Sequence, residues 1–214
     1  MSKDSNIRSL ILPFIIGIIL GLIAKFTDGR EFLYYFPVFA DIMGRFGIWV
    51  WAAALIAVRS KKPLFAAIRS FGFFAGMLLA YYGYTVVFLN YFPKSQMFLW
   101  CIIAMVTPFC GFLIWHIHKE SHYANLIASL PFTVFFTEWY LTAFTVRDWA
   151  FRTARDELLF GIAYLCFTFS LLKVIPTNKK RLFSLLYALL ISIILIQLIQ
   201  SEIIVNPYEI LLNI

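Results

Sequence analysis

Long apolar segments, separated by short stretches that carry charges or prolines, divide the whole chain. The hydrocarbon core of a bilayer is about 30 Å thick and is spanned by about 20 apolar residues of an α-helix. Division at the charges and prolines gives seven such segments, which cover approximately 10–24, 37–58, 63–89, 96–117, 123–144, 158–174 and 182–205. The pattern predicts an all-α integral membrane protein with a single domain over 1–214. We expect a bundle of about seven transmembrane helices, with six as the alternative.

The second segment is the least regular of the seven. Its uncharged part, 46–58, is too short to span a bilayer, so the helix must begin near Pro37 and include Asp41 and Arg45. Those two residues are four apart, which places them on one face of a continuous helix where they can form an ion pair. Residues 27–36 before it are expected to form a loop. Two later segments contain a proline that should kink their helices, at Pro108 and Pro131.

Composition agrees with a membrane protein. Hydrophobic residues make up 62% of the 214 residues and charged residues 14%, and the mean hydropathy is +0.85, which excludes a water-soluble or a disordered protein. Three cysteines are too few for a disulfide framework. The net charge of +7 does not indicate nucleic-acid binding, because the basic residues are scattered between apolar segments. The bilayer is therefore the first expected partner.

Orientation follows from the Lys and Arg residues, because the cytoplasmic loops of membrane proteins carry the excess. With the N-terminus inside, eleven of the 18 basic residues fall on the inner side. These are Lys3, Arg8, Arg59, Lys61, Lys62, Arg69, Lys119, Lys173, Lys179, Lys180 and Arg181. The other seven are interspersed with acidic residues. We expect a cytoplasmic N-terminus and an extracytoplasmic C-terminus, in the plasma membrane.

Two series of small residues indicate close helix packing. Gly17 and Gly21 form a GxxxG motif in the first segment, and Gly72, Gly76 and Ala80 repeat that spacing in the third. Such positions let two helix backbones approach closely. Two interpretations stay open: packing within the chain, and association with a second copy or another membrane protein.

Glu138 is the most informative single residue, because it lies inside the fifth segment and toward its outer end. The apolar residues around it outweigh the cost of one acidic side chain, so the segment still inserts. A carboxyl inside a membrane is a candidate proton carrier, cation ligand or substrate contact. The alternative is a structural group that pairs with a neighbouring helix.

Other charged and aromatic residues are expected on the same side of the membrane as Glu138. Asp41 and Arg45 lie at the outer end of the second segment, and Arg147 and Arg152 lie in the connection after the fifth. With Trp139 they form a candidate outward-facing vestibule, in which guanidinium groups could hold a small polar or anionic solute. The alternative is that charges and tryptophans at this level are ordinary membrane-interface anchors.

His118 and His122 are the weak candidates for metal ligands. Their four-residue spacing would let both face one ion on a helix, but the Glu placement of HExxH is lacking, and an ordinary polar helix end is the alternative. The sequence contains no Walker, GxGxxG, GxSxG or CxxC motif. It therefore predicts no catalytic residue, no cofactor and no bound metal.

Three functions are compatible with these patterns. The leading hypothesis is a protein that binds or transports a small polar solute through the outer vestibule. The second is an accessory or immunity-type subunit that packs against a partner membrane protein through the Gly17/Gly21 or Gly72/Gly76 series. The third is an intramembrane enzyme that acts on a lipid or a peptide with paired carboxyls or a metal.

Overall fold

Helices account for nearly all of the structure, a computed structural model that describes residues 3–119, 121–145 and 153–204. These parts of the chain contain no β-strand. Their α-helices are α1 (Lys3–Thr27), α2 (Arg30–Tyr35), α3 (Pro37–Gly44), α4 (Phe46–Val58), α5 (Pro63–Leu89), α6 (Lys94–Trp115), α7 (His122–Tyr140), α8 (Ala154–Leu172) and α9 (Asn178–Gln200). A 3₁₀ turn, His116–His118, follows α6, and a π-helical turn, Leu141–Thr145, follows α7. The all-α prediction is confirmed.

Five of the described helical segments are long and apolar enough to cross a membrane. They are Ser9–Thr27, Pro63–Leu89, Lys94–His118, Tyr123–Phe144 and Asn178–Gln200. Helices α3 and α4 make a sixth if the two count as one span, although they are bent by 60°. The length and composition of these helices therefore indicate that the protein is embedded in a membrane.

The chain between α1 and α4 differs from the prediction in two ways. A short helix, α2, lies within residues 27–36, where a loop was expected. The second predicted span is broken: α3 ends at Gly44 and α4 begins at Phe46. Arg45 lies at the break, so a continuous helix carrying Asp41 and Arg45 on one face is wrong. Glycines at positions 44 and 47 weaken the helix on both sides of Arg45, because glycine loses the most backbone freedom in a helix.

The chain divides into two compact units, Met1–Gly44 with Ala52–His116 and Arg45–Trp51 with Ile117–Ile214. In the first unit, α1 packs along α5 through glycines. An ideal Cβ on Gly17 or Gly76 would collide with a main-chain oxygen of the other helix, and a Cβ on Gly21 would lie 2.5 Å from the carbonyl oxygen of Met77. Packing within the chain, the first interpretation of the GxxxG motif, is therefore what these three glycines do.

Helices α5 and α6 also pack closely in the first unit. A Cβ on Gly111 of α6 would lie 2.6 Å from the hydroxyl oxygen of Ser70 and 2.9 Å from the carbonyl oxygen of Ala66. At one end of this helix pair, the Trp115 indole donates to the carbonyl oxygen of Ser60 at 2.8 Å. The Ser60 hydroxyl accepts from Nη1 of Arg69 at 3.0 Å. Small residues and a few polar contacts thus hold α5 between α1 and α6.

The second unit contains α7, α8, α9 and the first turns of α4. Helix α9 packs against α7, and its most buried residues are small and four apart: Ser184, Ala188 and Ser192. Trp51 of α4 donates to the hydroxyl of Ser170 at 2.6 Å. This unit therefore combines a small-residue helix contact with hydrogen bonds between helices, the two devices that hold helices together in lipid.

Candidate functional site

The start of α4 creates a local need for hydrogen-bond acceptors. The first N–H groups of an α-helix have no carbonyl oxygen one turn earlier to bond with. In a bilayer there is no water to replace that partner, and each unsatisfied group costs several kcal/mol. Helix α4 begins at Phe46, within the second predicted span, so its first N–H groups need acceptors from elsewhere in the protein.

Glu138 of α7 supplies these acceptors. Its Oε1 accepts from the main-chain N–H of Phe46 at 2.9 Å, and its Oε2 accepts from the N–H of Gly47 at 2.6 Å. The carboxyl group therefore caps α4 in the way that an acidic side chain caps the start of its own helix. Here the cap comes from a residue about 90 positions later in the sequence. Glu138 is buried, with 3% of the residue surface exposed.

Tyr164 of α8 provides a third hydrogen bond to the same carboxyl group. Its hydroxyl donates to Oε2 of Glu138 at 2.6 Å. The Tyr164 ring is buried and stacks on Phe160, with ring centroids 4.5 Å apart. Gly47 completes the geometry, because a Cβ there would lie 2.6 Å from Oε2 of Glu138 and 2.7 Å from the Tyr164 oxygen. Three helices of the second unit thus meet at one carboxylate. We call Glu138, Phe46, Gly47 and Tyr164 the carboxylate cluster.

A positive charge and three hydrogen-bond donors face the Glu138 carboxyl group. Arg45 is 6% exposed, and its positive charge attracts the Glu138 carboxyl. Two N–H groups and one phenol O–H point their positive ends at the same two oxygen atoms. Donors of this kind favour the ionised form of the carboxyl group, whereas its burial away from water opposes ionisation. Both oxygen atoms of Glu138 therefore already have hydrogen-bond partners within the protein.

Two threonines with buried hydroxyl oxygens, Thr137 and Thr142, lie at the end of α7 that carries Glu138. Thr142 is buried in the π-helical turn Leu141–Thr145. The hydroxyl oxygen of Thr137 is also buried, and no described residue hydrogen-bonds to it. A π-helix is rare and occurs often at functional sites. This end of α7 thus has both irregular backbone and polar side chains beside the cluster residue Glu138.

The structure brings together two of the residues that the sequence singled out, Glu138 and Arg45. Trp139 follows Glu138 on α7, and its side chain is 43% exposed, with its indole nitrogen close to Gly161 of α8. Asp41 lies in α3 of the first unit and is partly buried. Arg147 and Arg152 lie outside the described residues. The vestibule stays a prediction.

The histidine candidates do not have the predicted helical spacing. His118 ends the 3₁₀ turn after α6, and Ser121, in an extended conformation, caps α7 before His122. The two are therefore not four residues apart on one helix, because the chain leaves the helical conformation between them. Among the described side chains, which do not include that of His122, no group of three or more His, Cys, Asp or Glu residues is placed to hold a metal.

The sequence analysis singled out only Glu138 of the four cluster residues and missed Phe46, Gly47 and Tyr164; Phe46 contributes only its main-chain N–H group. Gly47 looked like one of several glycines in an apolar segment, and Tyr164 looked like an ordinary aromatic of the sixth segment. One signal was available: Gly47 follows Gly44 by three residues near the centre of a segment that was predicted to be one continuous helix. Nothing in the sequence indicated that Tyr164 contacts Glu138.

Comparisons of the chain with protein-family models, with curated proteins and with solved structures give no match. The carboxylate cluster is therefore the feature from which a function is inferred.

Proposed function

We propose that the chain is a plasma-membrane protein that binds or transports a small polar solute, which it engages near Glu138 and Arg45. The observation that carries the proposal is a buried carboxylate and a buried guanidinium at the break of an apolar helix. Charged side chains inside a membrane are costly and usually mark the path of a solute or an ion. Transporters also commonly bind substrates at discontinuous helices, where the start of a half-helix points at an anionic group.

The chemistry of the carboxylate cluster limits how a solute can be engaged. The N–H groups of Phe46 and Gly47 are bonded to Glu138, so a solute with an acceptor group competes with Glu138 for them. Binding near the cluster therefore requires the Glu138 carboxyl or the start of α4 to move. In this proposal the solute enters from the outer side. It first meets the other predicted vestibule residues, which are Asp41, Trp139, Arg147 and Arg152.

The proposal includes seven spans, with the N-terminus in the cytoplasm and the C-terminus outside. The span that this count adds to the six described above is α8, the sixth in chain order, whose 19 residues are about 28 Å long at a rise of 1.5 Å per residue. Its first turn carries Arg155, Asp156 and Glu157, and Thr153 caps it through a reciprocal pair of bonds with Asp156. These groups are suited to the outer membrane–water interface. A reporter that works only in the cytoplasm should be inactive when it is fused to the C-terminus. Activity of this fusion would contradict the proposed orientation.

An accessory subunit of a membrane complex is the second candidate function. The observation that favours it is the number of bonds at Glu138, whose two oxygens accept three hydrogen bonds from the protein itself. A carboxyl group with three bonds inside the protein can serve only to stabilise the fold. In that case Glu138 is no evidence for a solute path. Under this candidate, substitutions on an exposed helix face affect function more than substitutions near Arg45.

Solute binding can be tested with purified protein in lipid nanodiscs. The probes are amino acids, small carboxylic acids, nucleosides and monosaccharides, each measured by its effect on the temperature of unfolding. A ligand at 100 times its dissociation constant stabilises the folded state by about 2.7 kcal/mol, which is readily detected. We expect one class to raise the midpoint, and Arg45→Gln to abolish that increase.

The matched control is Glu202→Gln, which removes an exposed charge after the end of α9. It should leave the ligand-induced increase unchanged. If no class raises the midpoint of the wild-type protein, or if Arg45→Gln retains the full increase, solute binding at this position is wrong and the accessory-subunit candidate is favoured.

A further inference from the structure

Five basic residues gather at one end of the second unit, away from the carboxylate cluster. They come from three places in the chain: just before α7, just after α8, and the first turn of α9. The main-chain oxygen of Lys119 accepts from Nζ of Lys180 at 2.9 Å, which joins two of these places directly. We call this group the basic end, and its members are Lys119, Lys173, Lys179, Lys180 and Arg181.

The positive charge of the basic end is not neutralised by the described part of the protein. None of its five residues forms an ion pair with a described acid. The described acids of this unit lie toward the other ends of the helices: near the end of α7, in the first turn of α8, and after α9. Glu120 lies outside the described residues and offsets one of the five charges at most. A net positive charge therefore persists at this end.

Arg181 is held in place by neutral groups. Its Nε donates to the carbonyl oxygen of Ile175, and its Nη1 donates to Oδ1 of Asn178, each at 3.0 Å. Neither acceptor carries a charge, and no described residue accepts from Nη2. The guanidinium is thus oriented by the protein, and its Nη2 has no acceptor among the described residues. Oriented guanidinium groups bind phosphate oxygens well, because they offer two parallel donors.

The position of the basic end along α9 matches the edge of a membrane. Lys179, Lys180 and Arg181 occupy the first turn of α9, where the positive end of the helix dipole disfavours cations. The next two residues, Leu182 and Phe183, are exposed and apolar and belong to a membrane-span candidate. The cations therefore lie where hydrocarbon gives way to lipid headgroups. An anion at this level would offset both the helix dipole and the clustered charge.

We propose that the basic end binds the phosphate groups of anionic phospholipid headgroups. Anionic lipids attract clusters of Lys and Arg that lie beside a transmembrane helix, and several such residues act together. Charge complementarity and the adjoining exposed apolar side chains both favour a lipid over a soluble anion, because a lipid satisfies the cations and covers the apolar surface together. This proposal does not depend on solute binding near Arg45.

Native mass spectrometry of the purified full chain in detergent, titrated with phosphatidylglycerol or with phosphatidylcholine, can test the proposal. We expect the wild-type protein to prefer phosphatidylglycerol. The triple variant Lys179→Gln, Lys180→Gln, Arg181→Gln should bind it about 100-fold more weakly, since each basic residue near an anionic surface contributes roughly fivefold. Binding of phosphatidylcholine should not change.

Two single variants form a matched pair. Lys179 and Lys94 are both exposed lysines in the first turn of an apolar helix, and neither ammonium group bonds to a described residue. Lys179 belongs to the basic end, whereas Lys94 is the only charged residue of α6. Lys179→Gln should weaken phosphatidylglycerol binding about fivefold, and Lys94→Gln should leave it unchanged. Equal weakening by both would overturn the proposal, because it indicates a general effect of net charge.

A further variant keeps the test decisive if the triple variant fails to fold after losing the Arg181 contacts. Lys119→Gln with Lys173→Gln removes two exposed charges whose ammonium groups make no hydrogen bond to described residues. It should fold normally and bind phosphatidylglycerol about 25-fold more weakly. Unchanged binding by this double variant and by Lys179→Gln would show that the basic end does not bind the lipid.

Discussion

Glu138 accepts a hydrogen bond from the main-chain N–H of Gly47 at 2.6 Å, although the two residues are 91 positions apart in the sequence. A side chain of α7 therefore completes the backbone hydrogen bonding of α4. In water such a helix start could be satisfied by solvent, but in lipid it needs a protein group. The acidic residue and the helix break consequently depend on each other, and removal of the residue leaves the helix start unsatisfied.

Replacement of Glu138 by alanine should strongly destabilise the protein. It leaves two N–H groups and the Tyr164 hydroxyl without their acceptor and leaves the charge of Arg45 without its attraction to the carboxylate. Removal of one member of a buried charged network costs about 3–5 kcal/mol. The free energy of unfolding, measured by detergent-induced denaturation of the purified protein, should fall by that amount.

Glutamine at position 138 tests the geometry more finely. Its single carbonyl oxygen can accept from one of the two N–H groups, but its NH₂ group then faces the other donor. Glu138→Gln should therefore cost about 1–3 kcal/mol, less than alanine. The control Glu202→Gln removes an exposed acid and should change the stability by less than about 0.5 kcal/mol. Full stability of Glu138→Gln contradicts the two-oxygen cap.

Gly47→Ala should destabilise the protein by steric overlap at the carboxylate cluster. The added methyl group would lie within 3 Å of both Glu138 and Tyr164, so the side chains or α4 must shift, at a cost of about 1–3 kcal/mol. Gly44→Ala is the matched control, because no described atom lies within 4 Å of a Cβ there. Thermal unfolding of the two variants in the same detergent gives the comparison. Equal midpoints would show that the overlap is relieved without cost.

Tyr164→Phe isolates one hydrogen bond, since the ring is kept and only the hydroxyl is removed. Loss of a donor to a charged acceptor costs about 1.5–3 kcal/mol. The control is Tyr123→Phe, in which the side chain is 78% exposed and the change should be within about 0.5 kcal/mol. If the two variants unfold at the same detergent concentration, the Tyr164 hydroxyl contributes nothing to the carboxylate cluster.

Hydrophobic patterning was sufficient for much of the fold. The third span was predicted as 63–89, and α5 covers Pro63–Leu89, because a proline and a polar turn limit the apolar run at its two ends. The break at Arg45 was not predicted, since hydropathy measures how apolar a segment is and not whether its backbone stays helical. The same limit explains α2, whose aromatic residues were assigned to a loop.

The contacts between helices were less accessible from the sequence. The GxxxG motif of α1 was recognised, but the series Ser184, Ala188 and Ser192 on α9 was not, although it has the same four-residue spacing. Serine is polar, so the hydrophobic pattern of α9 does not mark Ser184 and Ser192 as residues of a helix contact. Glu138 was identified because an acid in an apolar segment is rare, whereas its partners are main-chain N–H groups, which carry no sequence signal at all.

The glycines of α1 and α5 give a final prediction, which also separates the two interpretations of their spacing. Gly17→Ala and Gly76→Ala should each destabilise the protein by about 1–3 kcal/mol or more, because the added methyl group meets the backbone of the opposing helix, which cannot rotate away. Gly72→Ala is the control, since no described atom lies within 4 Å of a Cβ there, and the monomer should tolerate it.

Unfolding by detergent measures the effect of each substitution on stability, and cross-linking in native membranes measures association. If Gly72→Ala leaves stability unchanged but abolishes a cross-link to a second copy or to another protein, the face of α5 that carries Gly72 is an interface, and the accessory-subunit candidate gains direct support. If it changes neither, the close-packing role of these glycines is confined to the contact of α1 with α5.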